Sequence, residues 1–151
     1  MQRFAYSTLA LCLAFAPVAH ATECKSIHAD LFELRSTTGC DAGETACFLG
    51  EVDGNHGLRG ATHFGADSLG TGPSTSPGSL PYSGVFQYRL DTGTITMRET
   101  GINVPGFVTA HQKIVNGTGE FAGATGDFFV SGSRIPGVSV TTTVFGTLCL
   151  P

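Results

Sequence analysis

At 151 residues and a net charge of −4, with lysine only at Lys25 and Lys113, the chain lacks the clustered cationic surface that nucleic acid and anionic membranes require. Charged residues make up 13% of it while 21 positions are glycine, a balance that, with its many Thr and Val residues, argues for short strands and tight turns.

Arg3 precedes the apolar run Leu9–Ala16, and Ala19-His20-Ala21 has the small-x-small form of a cleavage site, so residues 1–21 read as a secretory signal peptide. Its removal takes away Arg3 and Cys12 and leaves residues 22–151, enough for one domain and too few for two. No later apolar run approaches the ~20 residues of a membrane helix, so the expectation is a soluble protein, secreted or periplasmic, without membrane insertion. The remaining cysteines, Cys24, Cys40, Cys47 and Cys149, form an even set in an exported chain and read first as disulfides. No C-x-x-C pair points to zinc or to thioredoxin-type chemistry.

The strands follow in order. Ile27–Leu34 is the first, with an inward face that its residues leave ambiguous. In the second, Phe48, Gly50 and Val52 form the apolar face, and Gly54-Asn55-His56-Gly57 turns the chain. The third runs from Leu58 to about Ala66, with Gly60, Thr62 and Phe64 inward and Arg59, Ala61, His63 and Gly65 toward water. From Leu69 to Pro81 no periodicity survives; this longest loop reads either as a lid at a barrel mouth or as a plain connection.

Val85–Leu90 and Thr94–Thr100 flank Asp91-Thr92-Gly93 and read as a hairpin. With Thr92 and Gly93 as the loop residues, Tyr88 faces Met97 and Phe86 faces Glu99. Phe86, Tyr88, Leu90, Ile95, Met97 and Glu99 then share the inward face, while Gln87, Arg89, Thr96 and Arg98 face solvent. Phe107–Val115, Asp127–Gly132 and Val138–Leu148 complete eight strands. Such a meander favours a closed eight-stranded antiparallel up-and-down barrel over a Greek-key sandwich. A membrane-spanning barrel would need an outward apolar band with aromatic girdles, whereas these outward faces carry Arg59, Arg89, Arg98, Glu51 and Asp53. Closure puts the start of the first strand beside the end of the last, which predicts Cys24–Cys149 and leaves Cys40–Cys47 to staple a loop.

Between the sixth and seventh strands lies Asn116-Gly117-Thr118-Gly119-Glu120-Phe121-Ala122-Gly123-Ala124-Thr125-Gly126. Part of it satisfies the dinucleotide pattern G-x-G-x-x-G/A, but that motif requires a helix directly afterwards and Asp127-Phe128-Phe129-Val130 reads as strand. Gly117, Gly119, Gly123 and Gly126 are therefore assigned to a structural turn. The form G-T-G-x-F-x-G-A-x-G between strands resembles the allene oxide cyclase and dirigent barrel superfamily, closely over about the last third of the chain. That resemblance implies an often trimeric barrel holding a small apolar molecule, in families that steer ring closure or radical coupling. It transfers architecture; no catalytic residue of those families aligns with this chain.

The remaining chemistry is sparse. His28, His56, His63 and His111 show no ligand spacing, and neither a bound metal nor another cofactor is expected. No G-x-S-x-G elbow is present, and Glu51 and Asp53 lie on a polar strand face. Asn116-Gly117-Thr118 spells a glycosylation sequon, which matters only in a eukaryotic secretory pathway. Glu99 stands out as a carboxylate on an apolar face, expected near Tyr88 with Gln112 as a further donor; it reads as a lumenal general acid or charge stabiliser, or else as a wet residue at the rim. Phe64, Phe86, Leu90, Ile95, Met97 and Gln112 are the expected ligand contacts. Two functions follow: a cyclase or isomerase acting on a small hydrophobic substrate, or a lipocalin-like carrier of a hydrophobic ligand. An envelope interaction protein and an enzyme inhibitor stand as further classes. A lumenal ionisable group would favour the enzyme, since a passive carrier has no need to bury one. Apolar outward residues, among them Ala61, Phe145 and one of Phe128 or Phe129, add the expectation of a homotrimer.

Overall fold

The computed structural model describes residues 23–151, so the expected signal peptide lies outside the described residues. Eight strands follow one another: β1 Glu23–Arg35, β2 Ala46–Gly54, β3 Arg59–Leu69, β4 Leu80–Leu90, β5 Gly93–Val104, β6 Phe107–Gly117, β7 Thr125–Ile135 and β8 Ser139–Leu150. Each pairs antiparallel with its neighbours in sequence, and β1 pairs with β8, closing the up-and-down barrel that the alternation predicts. No helix among the described residues is long and apolar enough to cross a membrane.

One parity of each strand fills the lumen. Ile27, Ala29 and Leu31 settle the ambiguous first strand by pointing inward, which puts Phe32 and Leu34 outside, about half exposed. Phe48, Phe64, Phe86, Tyr88 and Phe128 form a continuous chain of ring contacts across the interior, with centroids 4.7–6.5 Å apart.

The two barrel ends differ. At one, a single 3-10 turn at Gly119–Phe121 packs against the β4–β5 turn, where the Glu120 amide donates to the Thr92 carbonyl, and buries Phe121 in the hydrophobic core. The glycines make this plug feasible. Gly119 and Gly123 adopt φ of 61° and 76°, and a Cβ on Gly117 would sit 1.9 Å from the Phe121 carbonyl oxygen. Thr125 then opens β7 with Gly126 as its second residue, so a strand follows the glycine segment. The opposite end stays open and holds the site described below.

Both expected disulfides form. Cys24 and Cys149 are direct register partners on β1 and β8, joined across 125 residues at the seam, and Cys40–Cys47 closes the loop after β1.

Two expectations need correction. The β4–β5 hairpin turns at Asp91-Thr92, with Leu90 opposite Gly93, Tyr88 opposite Ile95, Phe86 opposite Met97 and Gly84 opposite Glu99. Gly93 belongs to the ladder because it lies against the neighbouring turn, where a Cβ would fall 2.1 Å from the Thr118 carbonyl oxygen. A slip of two residues preserves every side-chain face but changes every neighbour. His63 does point out of the barrel, yet it is buried rather than wet, because the Cys40–Cys47 loop folds over it and sets Glu44 against its ring. Gly65 leaves the room for that carboxylate, since a Cβ there would collide with Glu44.

Candidate functional site

Beneath the open mouth lies a cavity of about 190 Å³, lined from the strand ends that surround that mouth. Its apolar wall includes Leu31, Phe48, Phe64, Phe86, Val108, Val130 and Val140; its polar groups include Glu33, Tyr82, Glu99 and Thr142, with Arg35 and Arg134 toward the rim. The volume is below the ~300–1,000 Å³ usual for drug-sized ligands, so the pocket suits a small molecule.

Glu99 is 5% exposed and fixed from two sides: the Tyr82 hydroxyl donates to Oε1 at 2.8 Å and Gln112 Nε2 donates to Oε2 at 2.6 Å. Tyr88 donates in turn to Gln112 Oε1 at 2.6 Å, which fixes the orientation of the amide. Glu33, equally buried, receives one hydrogen bond, from the Thr62 hydroxyl at 3.2 Å. Register explains how these groups fit between close strands. Glu33 lies opposite Gly50 and Tyr82 opposite Gly101, and each of these side chains occupies space that its glycine partner leaves empty; Gly84, opposite Glu99, leaves its space to the Phe64 ring.

Burial raises the pKa of both carboxyls above the usual range. For Glu99, donation from Gln112 and Tyr82 opposes that rise by favouring the carboxylate. For Glu33 the rise is greater, because after burial the nearby charge of Glu99 adds to it and only Thr62 opposes it. The two environments thus differ in direction: the donors on Glu99 favour its carboxylate, and a charge there disfavours ionisation of Glu33. Burial also pushes the phenols of Tyr82 and Tyr88 upward, so both remain neutral donors. Thr142 completes the wall; its hydroxyl is buried without a hydrogen-bond partner.

The expected site residues divide in two. Glu99, Phe64 and Phe86 line the cavity. Gln112 lies one layer behind Glu99 as its donor, while Leu90, Ile95 and Met97 sit outside the cavity lining in the packed lumen. Tyr88, expected to accompany Glu99, is displaced by the hairpin slip, and Tyr82 takes that place. Arg98 points outward, as its strand parity predicts, and pairs with Asp67.

No protein-family model and no curated protein sequence matches the chain.

Outside the barrel, ligand atoms of Asp41, Glu44 and His63 converge within 4.8 Å. Arg89 Nη2 lies 3.0 Å from His63 Nδ1 and can only donate, so Nδ1 accepts and the proton sits on Nε2, toward Glu44 at 3.1 Å. A metal would need that nitrogen's lone pair; these residues form a hydrogen-bonded chain that holds the stapled loop down. Near it, Cys40 and Cys47 are bonded to each other.

Proposed function

We propose that this protein is an exported barrel that binds one small, largely apolar molecule in the mouth cavity and rearranges it by acid catalysis, as an isomerase or cyclase. The observation that carries this reading is the pair of buried carboxyls, Glu33 and Glu99, on the wall of one apolar pocket. Glu33 holds the proton and gives it to a substrate oxygen or double bond; Glu99, held by Tyr82 and Gln112, stabilises the positive charge that develops. The proton returns to Glu33 as the product forms, so the substrate changes only its bonding. The aromatic walls hold a flexible substrate in one folded conformation. The glycine turn's resemblance to the allene oxide cyclase and dirigent superfamily supports the same class, and the two disulfides support export to an oxidising compartment.

The test begins with mass spectrometry of ligand released from protein purified out of its native host, and uses that molecule or its precursor as substrate. Glu33→Gln and Glu99→Gln are each expected to retain binding and lose turnover by at least about a hundredfold. Binding without turnover in the unaltered protein would identify a carrier instead.

A homotrimer belongs to the same proposal. Its support is an exposed aromatic stripe on the outer wall, where Phe129 and Phe145 stack at 5.8 Å and His111 packs on Phe129 at 5.0 Å. Light scattering at micromolar concentration should give three times the monomer mass, and Phe129→Ser with Phe145→Ser should reduce it to one.

A further inference from the structure

Two arginines overlook the cavity. Arg35 ends β1 and Arg134 lies near the end of β7, so they flank the start of β8 from either side. Both contribute to the pocket lining. Neither guanidinium has a carboxylate within 4 Å or a side-chain hydrogen bond among the described residues, although other arginines, Arg59 with Asp53 and Arg98 with Asp67, are paired. Arg35 leans over the β7–β8 turn, where Nη1 lies 3.7 Å from the position a Cβ on Gly137 would take, and Gly137 is itself part of the rim.

The acidic groups of the lining are Glu33, where burial favours the neutral acid, and Glu99, held deeper by Tyr82 and Gln112. Even with Glu99 ionised the two guanidiniums outnumber that carboxylate, so the mouth of this acidic protein's pocket carries net positive charge. A planar guanidinium fork matches a carboxylate, and two forks at one opening favour a single anionic group over an extended or neutral one.

We propose that the molecule this pocket takes is a small monocarboxylate, with its carboxylate at the mouth on Arg35 and Arg134 and its apolar body against Phe48, Phe64, Phe86 and Val130. This rests on the reading of the cavity as a ligand site and adds the charge and polarity of the ligand. The cavity volume limits the buried part to about the space of six water molecules. A phenyl ring with a short chain is the upper size, and the acid group remains at the rim. The unpaired Thr142 hydroxyl, on the same wall as Glu33, provides one further hydrogen bond to a keto or hydroxyl oxygen on that body.

The experiment uses matched probes, 3-phenylpropanoate and 3-phenylpropanamide, with binding measured by calorimetry and saturation-transfer NMR at pH 7. The carboxylate should bind about tenfold or more tighter than the amide, as expected for charge-assisted hydrogen bonds. In Arg35→Met with Arg134→Met its affinity should drop to that of the amide, which should itself be unchanged. Thermal unfolding of the variant checks that it remains folded, and Arg35→Lys with Arg134→Lys, which keeps both charges, should retain part of the preference. Equal affinities for the two probes, or a carboxylate preference that survives loss of both arginines, would overturn the proposal. If neither probe binds but naphthalene does, the anionic ligand is wrong and the apolar site stands; if none of the three binds, both readings fall.

Discussion

Tyr82 and Gly101 face each other across the β4–β5 ladder, and the phenol occupies the space a side chain at 101 would need: a Cβ there would fall 2.6 Å from the Tyr82 hydroxyl. Gly101→Ala should therefore move the hydroxyl off Glu99 and destabilise the barrel by about 1–3 kcal/mol through overpacking. In a Tyr82→Ala background the same change should cost less, the part that remains coming from the Thr109 carbonyl oxygen, 2.7 Å from that Cβ. Denaturant unfolding of the four proteins in that cycle measures the coupling.

The carboxyls give a pH dependence of defined sign. Both have folded values raised above the unfolded value of about 4.3, so the stability they contribute is complete below that value and is lost as pH rises through their folded values. Unfolding free energy should thus decline from about pH 4.5 upward, by about 1.4 kcal/mol for each unit by which a folded carboxyl is raised. Glu33→Gln, which mimics the neutral acid, should flatten the decline and leave the protein more stable than the unaltered form at pH 8. A slope unchanged by Glu33→Gln and by Glu99→Gln alike would remove the assignment. Asp67, lowered by its hydrogen bond from Arg98, acts in the opposite direction and only at lower pH.

The seam disulfide can be weighed separately from the loop staple. Crosslinking across 125 residues constrains the unfolded chain far more than crosslinking across 7. Cys24→Ser with Cys149→Ser should lose about 3–5 kcal/mol in the chain-entropy account, and Cys40→Ser with Cys47→Ser less. Non-reducing peptide mapping should recover only those two linkages; Cys24 joined to Cys40 or Cys47 would contradict the seam.

Most of the barrel was legible because period-two alternation survives in nearly every strand. Its pocket was much less so. Glu33 was obscured by Phe32 and Leu34, which place two apolar residues on the outer face and cancel the pattern that would have marked Glu33 as lumenal. Tyr82 was lost behind Pro81, which suggested a loop but lies near the start of β4, where a strand tolerates proline. Carrying the parity of Phe86 and Tyr88 back through Gly84 would have reached it. Glu99 was legible because its parity with Ile95 and Met97 does not depend on register, whereas its neighbours do. Arg134 was missed because β7 was expected to stop at Gly132 and runs on to Ile135. The burial of His63 depends on a loop folding over the barrel wall, which alternation along a strand does not encode.

Thr142 supplies a test of whether the pocket is built for stability or for occupancy. Its unpaired buried hydroxyl should be a net cost in the unliganded protein, so Thr142→Val should be neutral or stabilising by up to about 1–3 kcal/mol. The same substitution should weaken binding of a keto or hydroxy ligand and leave its deoxy analogue unaffected. Thermal shift with and without each ligand separates the two effects.

The Phe121 plug makes the barrel a vessel with one opening. Whatever enters displaces water back along its own path, and must itself leave by that route before another molecule can arrive. Binding and release are then a strict sequence of occupancies through a single mouth. A second doorway cut through the plug should speed entry and release alike while leaving the equilibrium affinity of a bound molecule unchanged.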